Sequence, residues 1–563
     1  MKKNIRIAAM ATLSVAALTL GACASNGEGG SSSGKAKVEV NLAGDYNELD
    51  RDQIKDGGEL VLPIEEISEQ MNDSHGNSTR YARDLNYWIH PKLTLLNGKG
   101  DWEPNPDYLT SVKDEVVDGK LVVTYDIHEK ATFNDGTPID WKAFEHTWKM
   151  TNGSNPDLQV SSTDGYDLIE SVERGESDKQ AVVKFNGTYP WWQQVFSGLL
   201  HPAVNTPEIF NEGFINNPHD EWGGGPFKVE KWDPNGGTVT FVPNEKWWGD
   251  KPKLDKVTFR QMEDKAMINA FKAGEIDSTR VANKDNLAVA QSMGDAIDIR
   301  GALQNSNSLL TLNAQAPQLK DVKVREAVFA GIDRAQVAAI RFNGLDYTEK
   351  LPGSFFLYQT QEGYEDNFGS VVSYDPEKAK KLLDEAGWVE GADGIREKDG
   401  EKLSLRYIVI GDNQIIKSMA SAVQKMLKDV GIDVKIEERP SSDFSKVITK
   451  KDFDIFPMGF SSSSPWGTAF FGQTYKSDSE LNRSGTGSPE LDAKIDALQK
   501  LPTAEEQIAE ANKLEKEAFE QYGIMPMYNG PNLVGTKKGL ANYGAYGFAS
   551  VAMEDIGWAK DAS

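Results

Sequence analysis

Eighty-six acidic against 61 basic side chains give this 563-residue chain a formal charge of −25, and such a surface repels phosphate backbones and gains nothing from anionic lipid, which excludes nucleic-acid binding. An apolar content of 39% and 13 tryptophans describe a folded globular protein long enough for two or more compact domains. The one cysteine, Cys23, excludes disulfides and cysteine metal sites, so stability rests on packing.

The chain opens with Lys2, Lys3 and Arg6, then runs from Ile7 to Leu20 through apolar and small polar residues. A basic start, a short apolar run and a small-residue cleavage site make a secretory signal. The run is shorter than the about 20 apolar residues a bilayer span needs. Leu20-Gly21-Ala22-Cys23 resembles the lipobox of bacterial lipoproteins, in which the cysteine carries lipid and becomes the first mature residue. The resemblance implies a signal peptide over residues 1–22 and a covalent diacylglycerol and acyl lipid on Cys23, with no other cofactor. It also places the protein at the extracytoplasmic face of the cell membrane. Ala24 to Lys37 is rich in Gly and Ser, so residues 23–56 are expected to be lipid anchor and flexible tether.

Ordered structure is expected to begin with a strand at Gly57 to Leu62, followed by a polar loop, Glu65 to Thr79, placed to wall a site. Leu121, Val123, Tyr125 and Ile127 alternate with their neighbours and predict a half-buried strand over Lys120 to His128. Asn134-Asp135-Gly136 makes a turn that Pro138 ends, and a helix follows through Trp141, Phe144 and Trp148. Another strand is predicted at Ala181 to Phe185, and a hairpin over Lys231 to Val242 turns at Asp233 to Gly237. The glycines Gly223 to Gly225 lead into a strand, not a helix, which favours a tight backbone approach over a phosphate cradle. Helices dominate beyond about residue 305. Asp375-Pro376 starts one that Gly387 closes; a stripe from Ile415 to Val430, closed by Gly431, hands over to an alternating strand at Ile432 to Ile436. Thr503 with Glu506 caps a third. A long helix passing through glycine into a strand is an α/β unit.

These residues resemble family 5 of the bacterial ABC-importer solute-binding proteins, the dipeptide/oligopeptide type. The likeness is carried by Phe133-Asn134-Asp135-Gly136-Thr137-Pro138, Gly224-Gly225-Pro226-Phe227-Lys228, Asn244 to Trp248, Val324-Arg325-Glu326-Ala327 with Ile332-Asp333-Arg334, Tyr374 to Trp388, and Ile524-Met525-Pro526-Met527-Tyr528. Their order and spacing, not any one piece, make the match. The resemblance implies an α/β, two-lobed periplasmic-binding-protein-like fold, with an extra subdomain (about 86–220) inside a first lobe at 57–304, a second lobe at 305–525, and a return to the first at 526–563. It implies a receptor, not an enzyme: a monomer that encloses a peptide between its lobes and delivers it to an ABC permease driven by ATPase subunits. The membrane is reached through the lipid alone.

In peptide-binding members of the family, an acid in the loop after a Phe/Tyr-Asp strand often pairs with the free amine of the peptide. The matching strand here is Phe453-Asp454-Ile455-Phe456, and its loop, Gly459 to Gly467, has no acid. Asp443, Asp452 and Asp73 are the candidate replacements. Phe460, Ser461, Ser462, Ser463, Ser464 and Trp466 in that loop supply hydroxyls and an apolar face suited to a neutral polar ligand or a peptide backbone. Asn72, Ser74, Trp222, Gly224, Asn305 and Asn307 complete the expected site. A non-peptide polar solute (oligosaccharide, haem or nickel chelate) is the alternative cargo. The six histidines form no tight metal spacing. A surface-anchored glycosidase, which needs only a carboxylate pair, is the competing class.

Overall fold

The computed structural model describes residues 36–37, 39–461 and 465–561. Cys23, the signal residues, Ser462, Ser463 and Ser464 lie outside them.

The chain enters the first lobe as β1 (Glu59–Ile64), whose Leu60, Leu62 and Ile64 alternate into the core, and passes through the loop 65–79 into α1 (Arg80–Asn86). Four antiparallel strands and a helix follow: β2 (Leu109–Val117), β3 (Lys120–Ile127), α2 (Trp141–Thr151), β4 (Ile169–Arg174) and β5 (Gln180–Phe185), in the order β2-β3-β5-β4. This sheet has its own core, with Val123, Tyr125, Phe144, Val183 and Phe196 packed together. Its entry to α2 is local chemistry. Thr137 N donates to Asp135 Oδ1 at 2.8 Å, Gly136 takes φ 93°, and the Asp140 side chain caps the helix by accepting from Lys142 N at 2.8 Å.

The chain then returns as β6 (Phe227–Asp233), β7 (Thr238–Pro243) and β8 (Lys256–Gln261), and β8 pairs in parallel with β1 to give the order β6-β7-β8-β1. The β6–β7 turn is the expected one, with Gly236 N donating to Asp233 Oδ1 at 2.8 Å. After α3 (Asp264–Ala273) come β9 (Ser278–Arg280) and β10 (Ile297–Leu303).

Gln304 and Asn305 carry the chain into the second lobe. It contains β11 (Ser306–Leu312), α4 (Val322–Ala330), α5 (Arg334–Arg341), α6 (Pro376–Glu385), β12 (Ser404–Ile410), α7 (Gln414–Asp429), β13 (Asp433–Arg439), α8 (Phe444–Lys450), β14 (Ile455–Ser461), α9 (Pro489–Leu498), α10 (Ala504–Phe519) and β15 (Ile524–Tyr528). The strands form one mixed sheet, β13-β12-β14-β11-β15, over a core that includes Leu310, Phe329, Leu383, Val409, Leu427 and Met525. Asp375, Asn413 and Thr503 cap α6, α7 and α10, each accepting from a backbone amide. Asn529 and Gly530 bring the chain back to β16 (Pro531–Lys537), which sits between β9 and β10. Gln304 N donates to Gly530 O at 3.4 Å, so the two crossings lie side by side.

The expectation that order begins near Gly57 needs correction. Asn41 N donates to Gly301 O at 2.9 Å, Asp45 N to Ala545 O at 2.7 Å, and Ile54 is fully buried in a short strand against Ala559. Residues 39–56 are therefore part of the fold. Their order comes from partners hundreds of residues away, not from any local period.

Candidate ligand-binding site

A cavity of about 940 Å3 lies between the lobes. Its first wall is the 65–79 loop with α1 and the end of β9; its second is the crossing end of β11, the end of β14, the start of α7 and the Trp466 turn. Contacts on both flanks join the walls. Ser445 donates its backbone amide (3.1 Å) and hydroxyl (2.8 Å) to Glu66, and Ser441 does the same to Glu263 at 2.9 and 2.6 Å. Asn413 Nδ2 donates to Asp264 at 3.0 Å, Gln473 N to Asp164 at 2.8 Å, and Trp191 Nε1 to Gln507 at 2.8 Å.

Of the residues expected from sequence, Asn72, Ser74, Trp222, Asn307, Phe460 and Trp466 line the cavity. Two of these act mainly as framework. Asn72 is buried, donates to Phe210 O at 2.8 Å and accepts from Ser74 N at 3.0 Å, which holds the loop in shape. Asn307 donates to Phe355 O at 3.2 Å and accepts from Asn529 Nδ2 at 2.7 Å, tying the two crossings. Phe460 packs edge-on to Phe355, and Trp222 stacks on His219 with ring centroids 3.6 Å apart.

Gly224 is not part of the wall. It is buried behind, with its carbonyl accepting from Tyr108 Oη at 2.8 Å and its amide donating to Ile89 O at 2.9 Å. Asn305 sits on the crossing and does not line the cavity. Among the acids offered as amine partners, Asp452 is engaged by Arg406 at 2.7 Å and Asp443 lies outside the cavity; Asp73 alone lines it. Asp73 accepts from Asn86 Nδ2 at 2.9 Å, and burial pushes its carboxyl up to about 6. Beside it, burial pulls His75 down to about 4, so the ring is neutral, with Nδ1 accepting from Asn77 N at 3.0 Å.

Sequence reasoning missed the charged groups of the cavity. Burial pushes Glu65 up, but Arg80, 3.2 Å away, and the Tyr81 hydroxyl outweigh it and hold the carboxyl below its usual range. Arg280 and Arg341 also line the wall. No motif flags them, because they stand 61 residues apart on unrelated elements. Among the described residues, no group of three or more His, Asp or Glu is placed to hold a metal, and no helix is long and apolar enough to cross a membrane.

A two-lobed α/β clamp around one enclosed cavity defines a solute-binding protein. The family model for bacterial extracellular solute-binding proteins, family 5 Middle, matches residues 103–482, and the chain belongs to that family. Its members bind and do not transform, which sets aside the glycosidase reading. The chain is 32% identical over 537 residues to the oligopeptide-binding protein OppA of Mycobacterium tuberculosis, covering 93% of this chain and 88% of the relative. It is 25% identical over 471 residues to the oligopeptide-binding protein AppA of Bacillus subtilis, covering 82% of each. Among solved structures, Bacillus subtilis AppA in complex with a nonapeptide matches with a TM-score of 0.76 at 21% identity, over 90% of this chain and 100% of that one. A periplasmic EDTA-binding protein, EppA, matches with a TM-score of 0.76 at 24% identity, over 93% of this chain and 99% of that one.

Proposed function

We propose that this chain is the receptor of an ABC importer and that its cargo is a peptide, held extended between a lobe built from residues 39–304 with 529–561 and one built from residues 305–528. The observation that carries the reading is identity at 32% across 93% of the chain to a protein named for oligopeptide binding. A cavity of about 940 Å3, near the top of the range for small-ligand sites, supports it. Residues 457–460, beyond the last pairing of β14 with β12 at Ile455, line that cavity, where main-chain pairing gives affinity blind to side chain. Ligand held by one lobe adds contacts to the other and so favours the closed form that a permease recognises. The receptor acts as a monomer on the outer face of the cell membrane, held by lipid on Cys23.

Mass spectrometry of small molecules released from the purified protein on unfolding tests the cargo. Peptides are the expected release; an oligosaccharide, haem or a nickel chelate in their place overturns the reading. Cys23→Ser is expected to move the protein from the detergent-rich to the aqueous phase. Full membrane retention of that variant contradicts lipidation.

A further inference from the structure

Trp466 lines the cavity from the second lobe, and the residues on either side of it are gripped by the first. Before it, Pro465 lies against Gly100: a Cβ on Gly100 would stand 3.0 Å from Pro465 Cγ. After it, Gly467 lies against the indole of Trp191: a Cβ on Gly467 would stand 2.8 Å from Trp191 Cη2 and 2.9 Å from Cζ2. Gly467 also takes φ 45°, so only glycine accepts both that backbone angle and a ring at that distance.

Both grips rest on one core. Trp102, two residues after Gly100, meets Trp192 edge-on with ring centroids 5.3 Å apart, and Trp192 is buried in the core of the sheet β2-β3-β5-β4. Two consecutive tryptophans thus divide the work: Trp192 goes into its own subdomain and Trp191 goes across to the other lobe. The fixed point there is Gln507 of α10, which is fully buried. Its Nε2 donates to the carbonyls of Gln499 at 3.2 Å and Leu501 at 2.9 Å, which sets the orientation of the amide. Its Oε1 then accepts from Trp191 Nε1 at 2.8 Å and from Thr468 Oγ1 at 2.7 Å, so every hydrogen-bonding position of the amide is used. The indole of one lobe and the turn of the other are bound to the same oxygen. Trp191 does not itself line the cavity.

We infer that Trp191 is a positioning residue for the cargo: through Gly467 and Gln507 it fixes the turn 465–468, and with it the place at which the Trp466 ring meets the solute. On the reading that the cargo is a peptide, that ring is the wall for one of its side chains. The subdomain that carries Trp191 therefore acts on specificity without touching the solute. The grip comes from one lobe and the turn belongs to the other, so the wall is complete when the lobes are shut. A solute contact made in the closed form alone favours closing.

The test is a double-mutant cycle on the full chain: wild type, Trp191→Leu, Trp466→Ala and the pair. Leucine keeps an apolar group over the subdomain core but sets no ring against Gly467 and offers no donor to Gln507; Trp191→Phe keeps the ring alone. Ligand-free protein is prepared by unfolding and refolding and exposed to a mixed-sequence pentapeptide library. Kd is then measured by calorimetry for the peptide that the wild type retains best. Trp191→Leu is expected to raise Kd about three- to tenfold in the wild-type background and less than about twofold in the Trp466→Ala background, with Trp191→Phe close to the wild type. An equal loss in both backgrounds overturns the inference, because Trp191 then serves closure and not the placing of Trp466. An unchanged Kd in Trp191→Leu overturns it as well. Retention of no pentapeptide by the wild type overturns the peptide reading alone: the cycle is then read on the solute that copurifies, quantified by mass spectrometry after gel filtration, and the same two outcomes decide the role of Trp191.

Discussion

Glu66 is the side chain on which closure and pH meet. The loop after β1 carries it against the second lobe, where it is 3% exposed and accepts both bonds from Ser445. Burial pushes its carboxyl up to about 7 from an ordinary 4.5; the Ser445 bonds act the other way and do not win. A carboxyl whose pKa is higher in the folded form than in the unfolded chain binds a proton on folding. Its contribution is therefore fully present below about 4.5 and is lost as pH rises through about 7. Glu66→Gln, which keeps the shape without the charge, is expected to raise the melting temperature by roughly 1–3 °C at pH 8 and to change it little at pH 4. Thermal melts at both values check this, and an equal shift at both would place the effect in packing. Trp466 is a simpler case. It lines the cavity on the turn after β14, so Trp466→Ala should weaken peptide binding about tenfold by calorimetry without lowering ligand-free stability. Unchanged affinity would take that turn out of the site.

The glycine run before β6 shows what a sequence reveals about an element and what it hides. That the run serves a close backbone approach was legible, because a strand follows it. A Cβ on Gly223 would stand 2.7 Å from Ile89 O, and one on Gly225 would stand 2.8 Å from Ile89 C. That the same approach turns Gly224 away from the cavity was not legible, since it depends on Ile89 and Tyr108, far off in the chain. Backbone cannot give way as a flexible side-chain tip can, so Gly225→Ala is expected to cost about 1–3 kcal/mol in denaturant unfolding. A neutral result would mean that the run packs more loosely than its geometry states. The helices were legible for the converse reason. The stripe of α7 buries Met419, Val423, Met426 and Leu427, with Asn413 capping one end and Gly431 at φ 93° closing the other, all within 19 residues of sequence. Residues 39–56 have no such stripe, and their burial against 301 and 545–559 cannot be read locally.

The clamp as a whole has acids on the first lobe facing donors on the second, and this pattern sets how readily it shuts. Glu66, Glu263 and Asp164 all accept across the cleft, around the rim of one cavity. The family resemblance made the two lobes legible, but not this rim, because its pairs join residues 178 to 379 positions apart. Asp164 is the sharpest instance. Though buried, it accepts from Gln473 N at 2.8 Å and from Gln499 Nε2 at 2.7 Å, and burial raises its carboxyl above the usual range. In an open form, water can satisfy all three groups; in the closed form, only Asp164 serves the two donors. Asp164→Ala leaves both donors unsatisfied on closing alone, a loss of about 1–3 kcal/mol. The closed population of the ligand-free chain should fall by roughly tenfold or more, and where that population is a minority, the apparent Kd for peptide rises by the same factor. Small-angle scattering of the ligand-free variant should show a larger radius of gyration that saturating peptide restores. An unchanged Kd together with an unchanged radius would mean that ligand contacts alone, and not the rim, hold the lobes shut.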